Sequence, residues 1–232
     1  MRKKIAALMT ASLLGAGLVV GAGAPSAAEA ASVEPTPAQE ADLRNLFTRF
    51  SVPMSQQDSL IESASEGTPW DVYDATEAPA TEETAVIDGV RYTIRRYADG
   101  SFTASGMEIP TVPTSVQPQG ISQCSYSTGS GYSNATGCQI DGVWGSVILG
   151  PTNVNYTLVQ GGPDRITKSG IGFQRCVWPT SCSTPTLVYS SLTEGTFLAQ
   201  IMWQGDVTAS WGSWNAWVRL FVGNDTAYTT TS

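Results

Sequence analysis

The residues of this chain best suited to chemistry lie close together near its C-terminus, in Trp211-Gly212-Ser213-Trp214-Asn215-Ala216-Trp217 and, just beyond, Arg219 and Phe221. Flat rings stack on the apolar faces of sugars while amide and guanidinium groups bond the ring substituents, so the set has the composition of a ligand-binding surface. Ala216, Val218, Leu220 and Val222 alternate into one apolar strand face, which sends Trp217, Arg219 and Phe221 to the other. Trp211 and Trp214 flank Gly212-Ser213, which reads as a turn at the rim of a sheet. The expected site is Trp211, Trp214, Trp217 and Phe221, with Asn215 and Arg219 as polar contacts. Six of the seven tryptophans, Trp144, Trp178, Trp203, Trp211, Trp214 and Trp217, fall in the C-terminal half. Core packing is expected to claim most of them, because large aromatics are usually highly buried.

Reactive groups are sparse by comparison. The 232-residue chain contains no histidine, which excludes Ser-His-Asp and Cys-His nucleophilic machinery, histidine-ligated zinc and a histidine pH switch. Lys168 is the only lysine after Lys4, and Arg165 stands where a Ser-x-x-Lys pair would need serine. Paired carboxylates remain able to hydrolyse glycosides, with Asp141, Asp164, Glu194, Asp206 and Asp225 as the candidates in the second half. Asp141-Gly142 and Gly205-Asp206 read as turns, and Asp164-Arg165 as an internal ion pair. The four cysteines allow three connectivities. Cys124 with Cys138 and Cys176 with Cys182 are preferred, since each pair encloses a short segment rich in turn-forming residues, and each bridge would add about 2 to 4 kcal/mol. No C-x-x-C spacing exists, so neither a metal site nor a cofactor is expected.

Export is written at the N-terminus. Arg2, Lys3 and Lys4 precede an apolar stretch over 5–24, and Ala28-Glu29-Ala30 offers small residues where a signal peptidase reads them. Residues 1–30 are expected to be a signal peptide, with cleavage after Ala24 or Ala27 as alternatives, and no stable membrane anchor is expected. Removal of that segment subtracts three of the 12 basic and one of the 20 acidic residues. The mature chain then carries 9 basic against 19 acidic groups, a net charge of -10. Such a chain gains nothing from counterion release, so nucleic acid is excluded as a partner.

The mature sequence divides by charge. Residues 31–120 hold 14 acidic and 5 basic side chains, and residues 121–232 hold 5 and 4. Helix-period apolar residues predict a helix over 38–50 and a second over 55–65, with Ser55 as its N-cap. A β-hairpin follows over 90–97 and 101–107, turning at Asp99-Gly100. Its arginines, Arg91, Arg95 and Arg96, are expected to pair with nearby carboxylates or remain solvated. Signal, Val52-Pro53, Gly67-Thr68-Pro69-Trp70-Asp71 and this arginine-bearing hairpin together resemble the front ends of secreted actinobacterial proteins of unknown function. The resemblance spans residues 1 to about 110 and implies export but no activity.

Beyond a Pro-rich linker at 109–121, strands are expected over 123–127, 143–149, 154–160, 172–178, 186–192, 196–204, 207–211 and 215–222. The expectation is a mainly β protein: a C-terminal antiparallel β-sandwich (or small barrel) at 122–232 with two disulfides, preceded at 31–108 by a small helical hairpin plus β-hairpin region. The two halves are expected to form separate units, the acidic one acting as a pro-region, spacer or solubilising attachment. The functional expectation is a secreted, non-enzymatic binding protein, recognising an extracellular polysaccharide or envelope glycan, or a surface protein. The alternatives are an extracellular protease inhibitor presenting the loop Cys176-Val177-Trp178-Pro179-Thr180-Ser181-Cys182, a carboxylate-based hydrolase, and a secreted toxin.

Overall fold

The computed structural model describes residues 34–112 and 124–231, so the expected signal peptide and residues 113–121 of the expected linker lie outside the described residues. The chain opens with α1, Pro37–Arg49, which starts where Thr36 and Gln39 form a capping box and Pro37 occupies a position that needs no N–H donor. It buries Leu43, Leu46 and Phe47 on one side. Helix α2, Met54–Ser65, begins after Pro53, which sets the extended backbone without a side-chain cap. The expected cap, Ser55, already lies inside the helix. A short turn of 3₁₀ helix, Asp71–Tyr73, then leads to the sheets.

The first sheet, A, contains β1 (Thr81–Ile87), β2 (Val90–Arg96), β3 (Phe102–Glu108), β4 (Ser125–Gly129), β5 (Tyr132–Cys138), β6 (Ile140–Trp144), β7 (Val147–Val159) and β8 (Arg165–Cys176). Its order is β1-β2-β3-β6-β7-β5-β4, with β8 on the remaining edge of β7. The second sheet, B, contains β9 (Ser181–Cys182), β10 (Thr186–Ser191), β11 (Ala199–Ala209), β12 (Gly212–Gly223) and β13 (Thr226–Thr231), in the order β10-β11-β12-β13, with β9 also on β11. All named pairings are antiparallel. Neither sheet closes on itself, so the architecture is an open sandwich and not a barrel. Both expected disulfides are present, Cys124–Cys138 and Cys176–Cys182.

Three layers result. Val90, Tyr92, Ile94, Phe102, Ala104 and Val143 on one face of sheet A pack with Leu43, Phe47, Phe50 and Leu60 of the helical region. Ile140, Trp144, Leu149 and Val154 on the other face meet Ile201, Val207, Val218 and Leu220 of sheet B. The expected separation into units does not coincide with any break in the sheet. Strand β3, from the acidic half, pairs with β6, from the disulfide-bonded half, over Thr103↔Trp144 to Met107↔Ile140. The start of the expected linker is itself tied down, since the Thr111 amide donates to the Cys124 carbonyl at 2.9 Å.

Several elements depart from the sequence reading for identifiable reasons. Strand β1, Thr81–Ile87, has no counterpart among the expected strands. Asp88 (φ 52) and Gly89 (φ 79) make the left-handed turn into β2, and Arg95 and Arg96 pair with Glu82 and Glu83, both at 2.7 Å, which neutralises its charges. The expected strand at 143–149 contains the turn between β6 and β7, at Gly145. Gly205-Asp206 is not a turn but the middle of β11, because the Gln174 amide fills the space a side chain at Gly205 would need. Gly150 likewise lies inside β7: a Cβ there would come within 1.8 Å of the Ile140 carbonyl oxygen. Gly150→Ala should therefore lose about 3 kcal/mol or more in urea unfolding, while Gly195→Ala, with nothing within 4 Å, should change stability by under about 0.5 kcal/mol. Equal midpoints for the two variants would show that β6 can move away from β7.

Candidate binding face on sheet B

Directly opposed residues of an antiparallel pair project to the same side of the sheet. On β12 the inward set is Ala216, Val218, Leu220 and Val222, all buried, so Asn215, Trp217, Arg219 and Phe221 project outward, as their spacing predicts. Opposite them on β11 stand Asp206, Gln204, Met202 and Gln200. Strand β13 adds Thr230 opposite Arg219 and Tyr228 opposite Phe221, and β10 adds Tyr189 opposite Met202. Sheet A lies against the inner side of sheet B, joined at one end by Tyr73 of the 3₁₀ turn.

The outward side chains support one another. The Arg219 guanidinium carbon lies 5.4 Å from the Trp217 ring centroid and 5.6 Å from that of Phe221, within cation–π range of both. Phe221 stacks with Tyr228 at 5.0 Å and 16° between planes. Arg219 Nη2 donates to Met202 Sδ at 3.1 Å, and Asn215 Nδ2 donates to Asp206 Oδ1 at 2.7 Å. Trp217, Arg219 and Phe221 are half-buried by these neighbours, whereas Tyr189 and Tyr228 are 46% and 44% exposed. The result is an aromatic platform with amides at one margin and a cation held between two rings.

Trp211 and Trp214 do not join it. The hairpin turn falls at Ser210-Trp211, since Ala209 pairs with Gly212, so Gly212-Ser213 is not the turn expected. Trp214 shares the inward side with Ala216, and Tyr73 lies 4.6 Å from it and 5.9 Å from Trp211. The Tyr73 hydroxyl donates to the Trp144 carbonyl at 3.0 Å and pairs with Ser146 Oγ at 2.8 Å, and burial pushes its pKa up to about 12. These two indoles fasten the N-terminal region to the end of sheet B. Sequence alternation already placed Trp214 opposite in sense to Trp217; the turn assignment obscured it.

The carboxylates are occupied structurally. Asp164 is fully buried, with Oδ1 accepting from the Val159 amide at 2.6 Å and Oδ2 from the Asp225 amide at 2.8 Å. It forms no ion pair with Arg165 among the described residues. Glu194 accepts from the Asp164 and Asn224 amides, both at 3.0 Å. Glu194 meets the Asn224 amide just beyond β12, whereas Asp206 pairs with Asn215 well inside the β11–β12 ladder, roughly 27 Å away over eight strand residues, far beyond the separation of a glycosidase pair. Asp141, expected in a turn, is buried in β6, where it accepts from the Tyr92 hydroxyl and from Gln139 Nε2 at 2.7 Å. The loop considered for protease inhibition is also enclosed: Val177, Trp178 and Thr180 are buried.

No family model, no curated protein and no solved structure matches this chain.

Burial raises the pKa of Asp141 above the ordinary 3.8, outweighing the hydrogen bonds from Tyr92 and Gln139 that favour its charged form. A carboxyl raised in the folded state stabilises the fold fully below its unfolded pKa and loses that contribution as pH rises through the folded value. Asp141→Asn, which cannot ionise, should therefore gain on wild type between pH 4 and pH 7 when urea midpoints are compared at the two values. A difference that stays constant would show that folding does not raise the Asp141 pKa.

Proposed function

We propose that this is a secreted, non-enzymatic binding protein that recognises an extracellular polysaccharide or envelope glycan through the outer face of sheet B. The observation that carries this reading is the row Trp217, Arg219, Phe221 and Tyr228 on an open sheet face, bordered by Gln200, Gln204 and Asn215. Rings at this spacing offer apolar faces to sugar rings, and the amides and Arg219 offer directional donors to hydroxyl groups. A flat, shallow platform suits a polymer that passes across it better than a small molecule that needs enclosure. Two disulfides accord with an oxidising environment outside the cytoplasm. Among the described residues no helix is long and apolar enough to cross a membrane. The resemblance of the N-terminal part to exported actinobacterial proteins agrees with secretion.

Titration of intrinsic tryptophan fluorescence with a polysaccharide panel tests the reading. For whichever glycan binds, Trp217→Ala and Phe221→Ala should each weaken affinity by about 10-fold, near 1.4 kcal/mol. Trp211→Phe, altered on the clamp to Tyr73, should leave affinity unchanged. Retained binding in both platform variants, with circular dichroism showing an intact fold, would remove the sugar from this face.

A further inference from the structure

Arg219 selects among the ligands that such a platform could take, and the inference that follows rests on the glycan-binding reading above. Strands β10 to β13 carry just two charged side chains, Asp206 and Arg219. Asp206 is engaged by Asn215 and stands four strand residues from the position opposite Arg219, about 14 Å along the sheet. That separation exceeds the Debye length of about 8 Å at physiological salt, so Asp206 does little to neutralise the guanidinium.

Five other arginines hold a carboxylate: Arg44, Arg49, Arg95, Arg96 and Arg175. Arg91 and Arg165 hold none among the described residues but are exposed to water. Arg219 combines partial burial between two rings with the lack of any carboxylate partner among the described residues. Its Nε is buried without a hydrogen-bond partner, and its Nη2 meets a thioether sulfur, a weak acceptor. A partly desolvated guanidinium so poorly supplied with acceptors favours an incoming anion more strongly than a solvated one does, because less water must be displaced to pair it.

We propose that the platform binds carboxylated sugars, the glycan stacking on Trp217 and Phe221 while a uronic-acid carboxylate is received by Arg219 between them. The carboxyl group of such a sugar is attached directly to its ring. Stacking the ring on an indole or phenyl face therefore sets the carboxylate beside the guanidinium without ordering a further linker. A phosphodiester lies between residues of its polymer and gains no such placement from stacking. The net charge of -10 on residues 31–232 (9 basic, 19 acidic) opposes long polyanions in general, which leaves the short-range pair at Arg219 to discriminate one anionic glycan from another.

The test titrates the full-length secreted protein, by tryptophan fluorescence, with galacturonate, glucuronate and mannuronate oligosaccharides. Each is measured beside its carboxyl-reduced form, with poly(glycerol phosphate) as the phosphate arm. At least one uronide should bind about 10-fold or more tightly than its reduced form. Arg219→Gln should abolish that preference, so that the uronide and its reduced form bind equally and more weakly than the uronide binds wild type, and Arg219→Lys should keep part of it. Equal binding of oxidised and reduced forms, or a preference that survives Arg219→Gln, overturns the carboxylate assignment while the platform reading stands. Tighter binding of poly(glycerol phosphate) than of every uronide overturns it in favour of phosphate. Failure of all charged and neutral glycans to bind removes both this inference and the reading beneath it.

Discussion

The ladder between β3 and β6 is the constraint on which the rest of this structure depends. Its five registered pairs, from Thr103↔Trp144 to Met107↔Ile140, join strands separated by more than thirty residues and by the whole β4–β5 hairpin. Because β3 is fixed there, β2 and β1 extend sheet A beyond β6, and the two helices have an apolar face to cover. With that face covered, the remaining face of sheet A is the one available to sheet B. Sheet B then turns one side inward and leaves the other open. A chain whose acidic half were merely attached by a linker would leave β6 with an unpaired edge and Val143, Val177 and Trp178 without the neighbours that bury them.

A single strand mediates between stability and recognition. From Asn215 onward on β12, Ala216, Val218, Leu220 and Val222 lie in the core and alternate with Asn215, Trp217, Arg219 and Phe221. The rigidity of the platform follows from this division, because each outward ring is mounted on a backbone held by ladders to β11 and β13. The side chains are further ordered by contact with one another, Arg219 between two rings and Phe221 against Tyr228. Rings held in place before binding lose little freedom when a ligand arrives. Acidic groups play the opposite part: Asp164 and Glu194 satisfy backbone amides where the chain turns, and Asp141 lies sealed beneath Tyr92.

Local features of the sequence carried much of this. Period-3.6 spacing marked α1, with Leu43, Leu46 and Phe47 buried together, and period-2 spacing sorted β12 correctly into its two faces. Short separation paired the cysteines. Misreadings arose where a residue type has both a local and a long-range use. Gly205 and Gly150 look like turn formers, yet each is glycine because another part of the chain passes too close for a Cβ. Glu82 and Glu83 argue against a strand until Arg95 and Arg96 are seen across from them. Trp211 and Trp214 look like rim aromatics until Tyr73, far earlier in the chain, packs on them.

From its residues alone this chain determined a disulfide-bonded antiparallel β architecture, the absence of histidine chemistry and the outward projection of Trp217, Arg219 and Phe221. Those properties depend on composition, on alternation along one strand or on neighbours close in sequence, and each is complete within a short window. Only the tertiary structure decided that the two halves share a sheet, that two of the indoles are fasteners, that Asp141 and Asp164 are buried while Asp206 stands far from Glu194, and that Arg219 holds no carboxylate among the described residues. Each of these is a relation between distant segments. Pairing of backbone donors and exclusion of water from between side chains depend on distances that exist only once the chain has closed on itself.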